Sequence, residues 1–226
     1  IVSLFITSLF TPGGQTEEIP YEDWLPSDVF FLVSYDNAHA GTQEFPHFKE
    51  GMAHLVQSFN DIFEFRLMRE VYEVSLEKYQ VKPDYSSLMG ERAAFAVYAL
   101  DPMAAKLPIM IYLSEVPNPE QADQVLESLM KANAEFFEPL SFELDEYKGH
   151  IVKTLYGPAR IPGLSISYTF VDSMLLISNN KPGMLNLIED REFPENKLAE
   201  NSVYQSVLPR LPQPRYMTVF ANFSNV

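Results

Sequence analysis

A phrase near the start of the chain returns near its end. Leu25-Pro26 followed by Val29-Phe30-Phe31-Leu32-Val33-Ser34-Tyr35-Asp36-Asn37 is echoed by Leu211-Pro212 followed by Arg215-Tyr216-Met217-Thr218-Val219-Phe220-Ala221-Asn222. In both places a Leu-Pro corner opens a run of β-branched and aromatic residues, the composition of a strand. Self-similarity of this kind is the sequence mark of a repeated module. The chain is therefore expected to divide into residues 1–24, an α+β domain over residues 25–210, and residues 211–226 as the first strand of a second repeat. Opening at Ile1 and closing inside the echoed phrase, it reads as a piece of a longer protein.

Residues 1–24 read as the tail of an anchor or signal segment plus a linker. The run from Ile1 to Phe10 is uncharged, stops at Thr11-Pro12-Gly13-Gly14, and gives way to an acidic stretch containing proline. That run is shorter than the roughly 20 residues a membrane-spanning helix needs, so an ordinary edge strand is the competing reading. A break followed by a polar linker is how a tethered domain is set off from its tether. The expected location is outside the cytoplasm, in the periplasm or cell envelope, with the membrane touched only through that N-terminal anchor.

Composition narrows the partners. Of 226 residues, 46% are apolar, enough to build a substantial core, and 31 acidic against 16 basic residues leave a net charge of −15. No Lys/Arg-rich run exists to neutralise a phosphate backbone, so nucleic acid is not an expected partner. With no cysteine in the chain, disulfides, thiolate nucleophiles and thiolate metal sites are excluded together.

The hydrophobic patterning alternates between periods of two and three to four. Val29 to Tyr35 reads as a central strand, and Glu44 to Tyr79 as a long amphipathic helix, or two with a kink, ending before Pro83. Ala93 to Leu100 and Leu107 to Val116 form a hairpin. Asn118 as N-cap, Pro119 at the first helical position and Glu120-Gln121 in the first turn announce the next helix. Strands follow at Leu140 to Leu144, His150 to Tyr156, Leu164 to Phe170 and Met174 to Ser178. Short helices at Pro182 to Asp190 and Leu198 to Leu208 precede the last strand from Tyr216. The expected fold is α+β: an antiparallel sheet with helices on one face, in the β-α-β-β-α-β order of ferredoxin-like domains extended by further strands.

Signals for chemistry are few. His47, Glu50 and His54 fall at i, i+3 and i+7, which would place two imidazoles and a carboxylate on one helix face as a candidate metal site. A solvated helix face explains the same spacing. Paired acids such as Asp145-Glu146 and Glu189-Asp190 sit in turns where solvent equalises their environments, whereas acid–base catalysis needs them separated. No Gly-x-Ser-x-Gly elbow, phosphate-cradling loop or dinucleotide fingerprint occurs. No cofactor is expected. The 17 Phe and 12 Tyr could line a groove for an apolar or peptide ligand or simply fill the core.

Several longer phrases carry a resemblance. They are Leu25-Pro26 with the strand to Asp36, Gly90-Glu91-Arg92-Ala93-Ala94-Phe95-Ala96-Val97-Tyr98, and Ile109-Met110-Ile111-Tyr112-Leu113-Ser114-Glu115-Val116 followed by Pro119-Glu120-Gln121-Ala122. Ser167 to Asn179 and Leu198-Ala199-Glu200-Asn201-Ser202-Val203-Tyr204 complete the set. In these the chain resembles a bacterial family of extracytoplasmic, often N-terminally anchored proteins catalogued as a domain of unknown function. The resemblance implies a modular envelope protein and carries no functional residues with it. The expected role is a non-enzymatic scaffold or binding module that engages an envelope protein or peptide. The alternatives are a metal-dependent hydrolase using His47, Glu50 and His54, or a carrier of an apolar ligand.

Overall fold

In the computed structural model the described residues are 3–6, 21–36, 66–82, 85–98, 108–136, 140–157, 165–190, 197–211 and 217–222. The strands are β1 (Ser3–Ile6), β2 (Phe31–Asp36), β3 (Arg92–Tyr98), β4 (Ile109–Glu115), β5 (Ser141–Tyr147), β6 (His150–Tyr156), β7 (Ile166–Val171), β8 (Met174–Ser178) and β9 (Met217–Asn222). The helices are α1 (Arg66–Tyr79), α2 (Pro119–Phe136), α3 (Lys181–Asp190) and α4 (Ser202–Val207). The nine strands among the described residues join one sheet in the order β1-β9-β2-β3-β4-β8-β7-β6-β5, and each pairing is antiparallel.

The α+β class and the antiparallel sheet expected from the sequence are what the chain builds. Along the chain, β2-α1-β3-β4-α2-β5 follows the expected order. The spatial order differs from a split βαβ arrangement, because β2 and β3 are direct antiparallel neighbours, with Leu32 opposite Ala96, and β5 lies at the far edge. The flanks set apart from the 25–210 domain also enter the sheet. Ser3–Ile6 pairs with β9, and β9 lies between β1 and β2. Tyr21, Trp24 and Leu25 are buried in the core.

Local chemistry explains the elements. Asn118 caps α2 by accepting from the Gln121 N–H at 3.1 Å, and Ala122, Val125, Leu126 and Met130 form the buried stripe. The β5–β6 hairpin closes on Lys148 and Gly149, with φ of 50° and 80°. Two consecutive left-handed residues match the twist of the flanking strands, and Gly149 adopts that region without a Cβ penalty. Asn201 caps α4 by accepting from the Val203 and Tyr204 N–H groups at 3.0 Å, while its own amide donates to the Ser27 carbonyl at 2.7 Å. Tyr204 donates its hydroxyl to Glu22 at 2.7 Å, and the Leu198 N–H donates to the Leu25 carbonyl at 2.8 Å. The start of the domain is thereby stapled to its end.

The helical cover expected on one face is present, and a second cover occupies the other. On one side α2 packs over Leu155, Tyr168 and Leu175, with Tyr112 and Ile177 at the margin. On the other, Met184, Leu187 and Ile188 of α3, with Leu198 and Tyr204, pack over Leu32, Ile111, Leu113, Leu176 and Phe220. Neighbouring residues of one strand, such as Leu175 and Leu176, thus enter different cores, as the period-two alternation of a strand dictates. Tyr168, Tyr204 and Phe220 are almost fully buried, so this part of the aromatic enrichment is core filling. Of the long helix expected from Glu44, the described part is α1; residues 44–65, including Phe59, Phe63 and Phe65, lie outside the described residues, as does Pro83.

If both covers belong to one cooperative unit, Leu175→Ala and Leu176→Ala should each cost ~2–5 kcal/mol. Each should shift a single urea transition rather than split it, as followed by circular dichroism and tyrosine fluorescence.

Candidate functional site

Where β3 begins and β4 ends, the antiparallel register brings chain segments together that are distant in sequence. Asp36 at the end of β2 lies opposite Arg92, and Arg92 reaches across to Glu115, donating from Nε at 2.9 Å and from Nη2 at 2.6 Å to the same carboxylate oxygen. The pair is part-exposed, with 24% of the Arg92 side chain and 38% of the Glu115 side chain accessible. Burial works against the Arg92 cation, but the Glu115 hydrogen bond and the nearby Asp36 charge outweigh it and raise its pKa. Arg92 is therefore a fixed positive group.

The cleft beside this pair measures about 570 Å³ and is walled by Met89, Gly90, Glu91, Arg92, Glu115, Val116, Pro117 and Ser173. Its walls are tied down. Tyr35 donates its hydroxyl to the Gly90 carbonyl at 2.7 Å, the Gly90 N–H donates to Ser114 Oγ at 2.9 Å, and the Val116 N–H donates to the Ser173 carbonyl at 3.0 Å. Behind the wall, the Tyr21 hydroxyl is buried without a hydrogen-bond partner among the described residues. Burial first, and then the Asp36 charge, push that phenol well above its usual range.

Gly90 makes this corner possible, since a Cβ there would stand 1.5 Å from the Glu115 carbonyl oxygen. Backbone cannot yield at that distance as a flexible side chain can. Gly90→Ala should cost ~3 kcal/mol or more, by analogy with overpacked cores, and should detach the 88–91 segment from β4. Denaturant unfolding, with loss of amide-exchange protection at Gly90, measures both effects.

A second polar cluster lies under α2. Lys153, on the core-facing side of β6, donates Nζ to both Asp123 oxygens at 2.7 Å and also to Glu127, while Tyr168 donates its hydroxyl to Asp123 at 2.9 Å. Lys131 closes the network from one turn along the helix by bonding Glu127. Only 8% of the Lys153 side chain is accessible. Burial alone would lower the Lys153 pKa, but hydrogen bonds to Asp123 and Glu127 carry it upward. Burial alone would likewise raise that of Glu127, and bonds from Lys131 and Lys153 bring it below its usual 4.5. These shifts keep Lys153 and Glu127 charged, so the pair fastens α2 to the sheet and is not poised to exchange protons.

The sign of the Glu127 shift sets the pH window. A folded pKa below the unfolded 4.5 contributes stability above that value and loses it as pH falls through the folded value. Lys153→Met would leave Asp123 and Glu127 facing each other and should cost ~3–5 kcal/mol at neutral pH. The variant should also lose less stability than the parent between neutral pH and the acid side of 4.5, because one of the two cations that favour the Glu127 charge is gone and Lys131 alone remains. Denaturant midpoints measured across that range check both statements.

His47, Glu50 and His54, the candidate metal site, lie outside the described residues. Among the described residues no group of three His, Asp or Glu side chains could hold a metal ion. His150 is placed in the β5–β6 hairpin, with its Nδ1 3.1 Å from the Phe170 carbonyl oxygen. Sequence reasoning missed both clusters that the fold assembles. Lys153 did carry a signal, being a lone charge at a core-facing position of an apolar strand, and Asp123 and Glu127 fall at i, i+4 on the sheet-facing side of α2. The Arg92–Glu115 pair carried none, since it follows only from strand register.

These features define the class of protein: an antiparallel α+β domain whose sheet is covered on both faces and whose central strands end at a charged cleft. The chain belongs to the family described as "Protein of unknown function (DUF3352)", which matches residues 75–226, well over half of its length. The phrases from Gly90 to Tyr204 that carried the resemblance fall inside the match, and the Leu25–Asp36 phrase lies before it. No curated protein matches the chain. No solved structure matches it either.

Proposed function

We propose that this chain is a non-enzymatic scaffold or binding module that works outside the cytoplasm, tethered to the cell envelope, and engages its partner at the Arg92–Glu115 cleft. The observation that carries this reading is the state of the charges there. Arg92 and Glu115 satisfy each other in part, remain accessible, and stand on a corner braced by Tyr35, Ser114 and Gly90. A part-exposed guanidinium–carboxylate pair suits charge-assisted hydrogen bonds to a polar peptide segment, whose backbone and side chains offer donors and acceptors together. Arg92, with its pKa raised further, does not suit proton transfer, which needs a group titrating near the working pH. The absence of cysteine and the net charge of −15 agree with an extracytoplasmic surface, where acidic character favours solubility.

The location is tested by following a tagged full-length protein through membrane fractionation and external protease treatment. Recovery with the envelope and cleavage by added protease are expected; a soluble cytoplasmic product overturns the reading. For the binding face, a photo-crosslinking residue at Ser173 should trap an envelope protein in intact cells. Arg92→Glu should reduce that adduct by about tenfold, as expected for reversing one half-desolvated charge contact. An adduct indifferent to Arg92 would remove the cleft from the proposal.

A further inference from the structure

The two echoed phrases meet in space. Counted from their Leu-Pro corners, Val33 and Val219 are equivalent positions, and they are also directly opposite each other in the β2–β9 ladder. The flanking pairs exchange roles about that point. Leu32 faces Phe220 and Ser34 faces Thr218, while Leu32 is the counterpart of Thr218 and Ser34 of Phe220. A local twofold axis normal to the sheet therefore passes between Val33 and Val219 and carries one phrase onto the other. Burial follows the same equivalence. Leu32, Ser34 and Asp36 are 1%, 2% and 8% exposed, and their counterparts Thr218, Phe220 and Asn222 are 1%, 0% and 3% exposed.

The symmetry continues one strand further on each side. Next to β2, β3 places Arg92 opposite Asp36 and Phe95 opposite Val33. Next to β9, β1 places Ser3 opposite Asn222 and Ile6 opposite Val219, which are the counterparts of Asp36 and Val33. β1 thus covers on β9 the stretch that β3 covers on β2. Among the described residues it pairs only with β9 and is the outermost strand at that end of the sheet.

We propose that β9 is the first strand of a second copy of this module, and that its outer edge, here paired with β1, is the docking edge for that copy's counterpart of β3. Two modules then share one continuous sheet through the β2–β9 ladder, an isologous contact in which each copy offers the other the same strand. The second copy is favoured over an unrelated peptide because register, burial and the Leu-Pro corner all repeat at the same offset, whereas strand addition by a stranger needs only free N–H and C=O groups. Neither cellular location nor occupancy of the Arg92–Glu115 cleft enters into this docking edge, so it stands or falls separately from the function proposed above.

A spliced tandem tests it. Residues 1–222 are joined directly to residues 37–226, so that Asn222 takes the place of Asp36 and β9 must serve as β2 of the appended copy. The control joins residues 1–226 through a flexible Gly-Ser linker to residues 21–226, which bring their own β2. In the spliced tandem both copies should fold in one cooperative transition. Amides of Ser3–Ile6 should exchange about tenfold faster or more than in the control, as release of an edge strand predicts. Cysteines at Asn222 and at the appended copy's Arg92 should form a disulfide under mild oxidation, and cysteines shifted by one residue should not. If the appended copy folds in the control but not in the splice, or if the register-matched disulfide fails to form while Ser3–Ile6 keep their protection, the proposal is overturned.

Discussion

The structure depends on a sheet whose strands β4 and β8 send side chains into a core on each face, although Met110 of β4 and Phe95 of the neighbouring β3 stay exposed. In β4, Ile111 and Leu113 enter one core while Tyr112 borders the other, and in β8 Leu176 and Leu175 divide in the same way. A sheet open to water on one side tolerates a polar alternate row; this one does not over its middle, and the runs at Ile109–Leu113 and Met174–Ile177 are accordingly apolar throughout. Double burial also fixes register. Sliding β4 by one residue would exchange Tyr112 with Leu113 and misfit both covers at once. Polar groups that the arrangement buries then find partners within the protein, as Thr154 and Ser167 answer each other at 3.0 Å and Ser178 donates to the Met110 carbonyl at 2.8 Å, the Tyr21 and Thr218 hydroxyls being exceptions among the described residues.

The same constraint explains the Lys153 cluster. A lysine facing the underside of α2 cannot reach bulk water easily, so Asp123 and Glu127 face inward from the helix to meet it, and Tyr168 supplies a further donor. Such a network adds little over well-packed apolar groups in net energy, yet it accepts only one seating of the helix on the sheet. Strands and side-chain charges therefore select the same register by different means.

Much of this was legible in the sequence and some of it could not be. Strand and helix runs were readable because their periods are set locally; His150–Tyr156 and Met174–Ser178 occupy the residues expected of them, and Asn118-Pro119 opens α2 where its capping chemistry says it should. The order of strands across the sheet was not readable, because it rests on contacts between distant segments: β9 beside β2, and β8 beside β4. A second helical cover was hidden for a related reason. An amphipathic helix declares that it has a buried side, but not which face of the sheet that side will meet. The charged corner was invisible on both counts, since Arg92 and Glu115 look like ordinary strand termini until pairing sets them together.

The bond between Tyr204 and Glu22 joins residues 182 positions apart. With the β2–β9 ladder, it means that the first central strand acquires its last neighbour only when the end of the sheet has been made. A chain of this topology has a high contact order, and its loop closures must be completed before the contacts reward them. Synthesis or vectorial passage through a pore delivers the N-terminal strand long before its partner, so β2 waits with one edge open while the intervening segments emerge. The finished sheet is accordingly a product of the whole segment rather than of its sequential growth, and the interval before β9 arrives is when the chain is most exposed to pairing with a stranger.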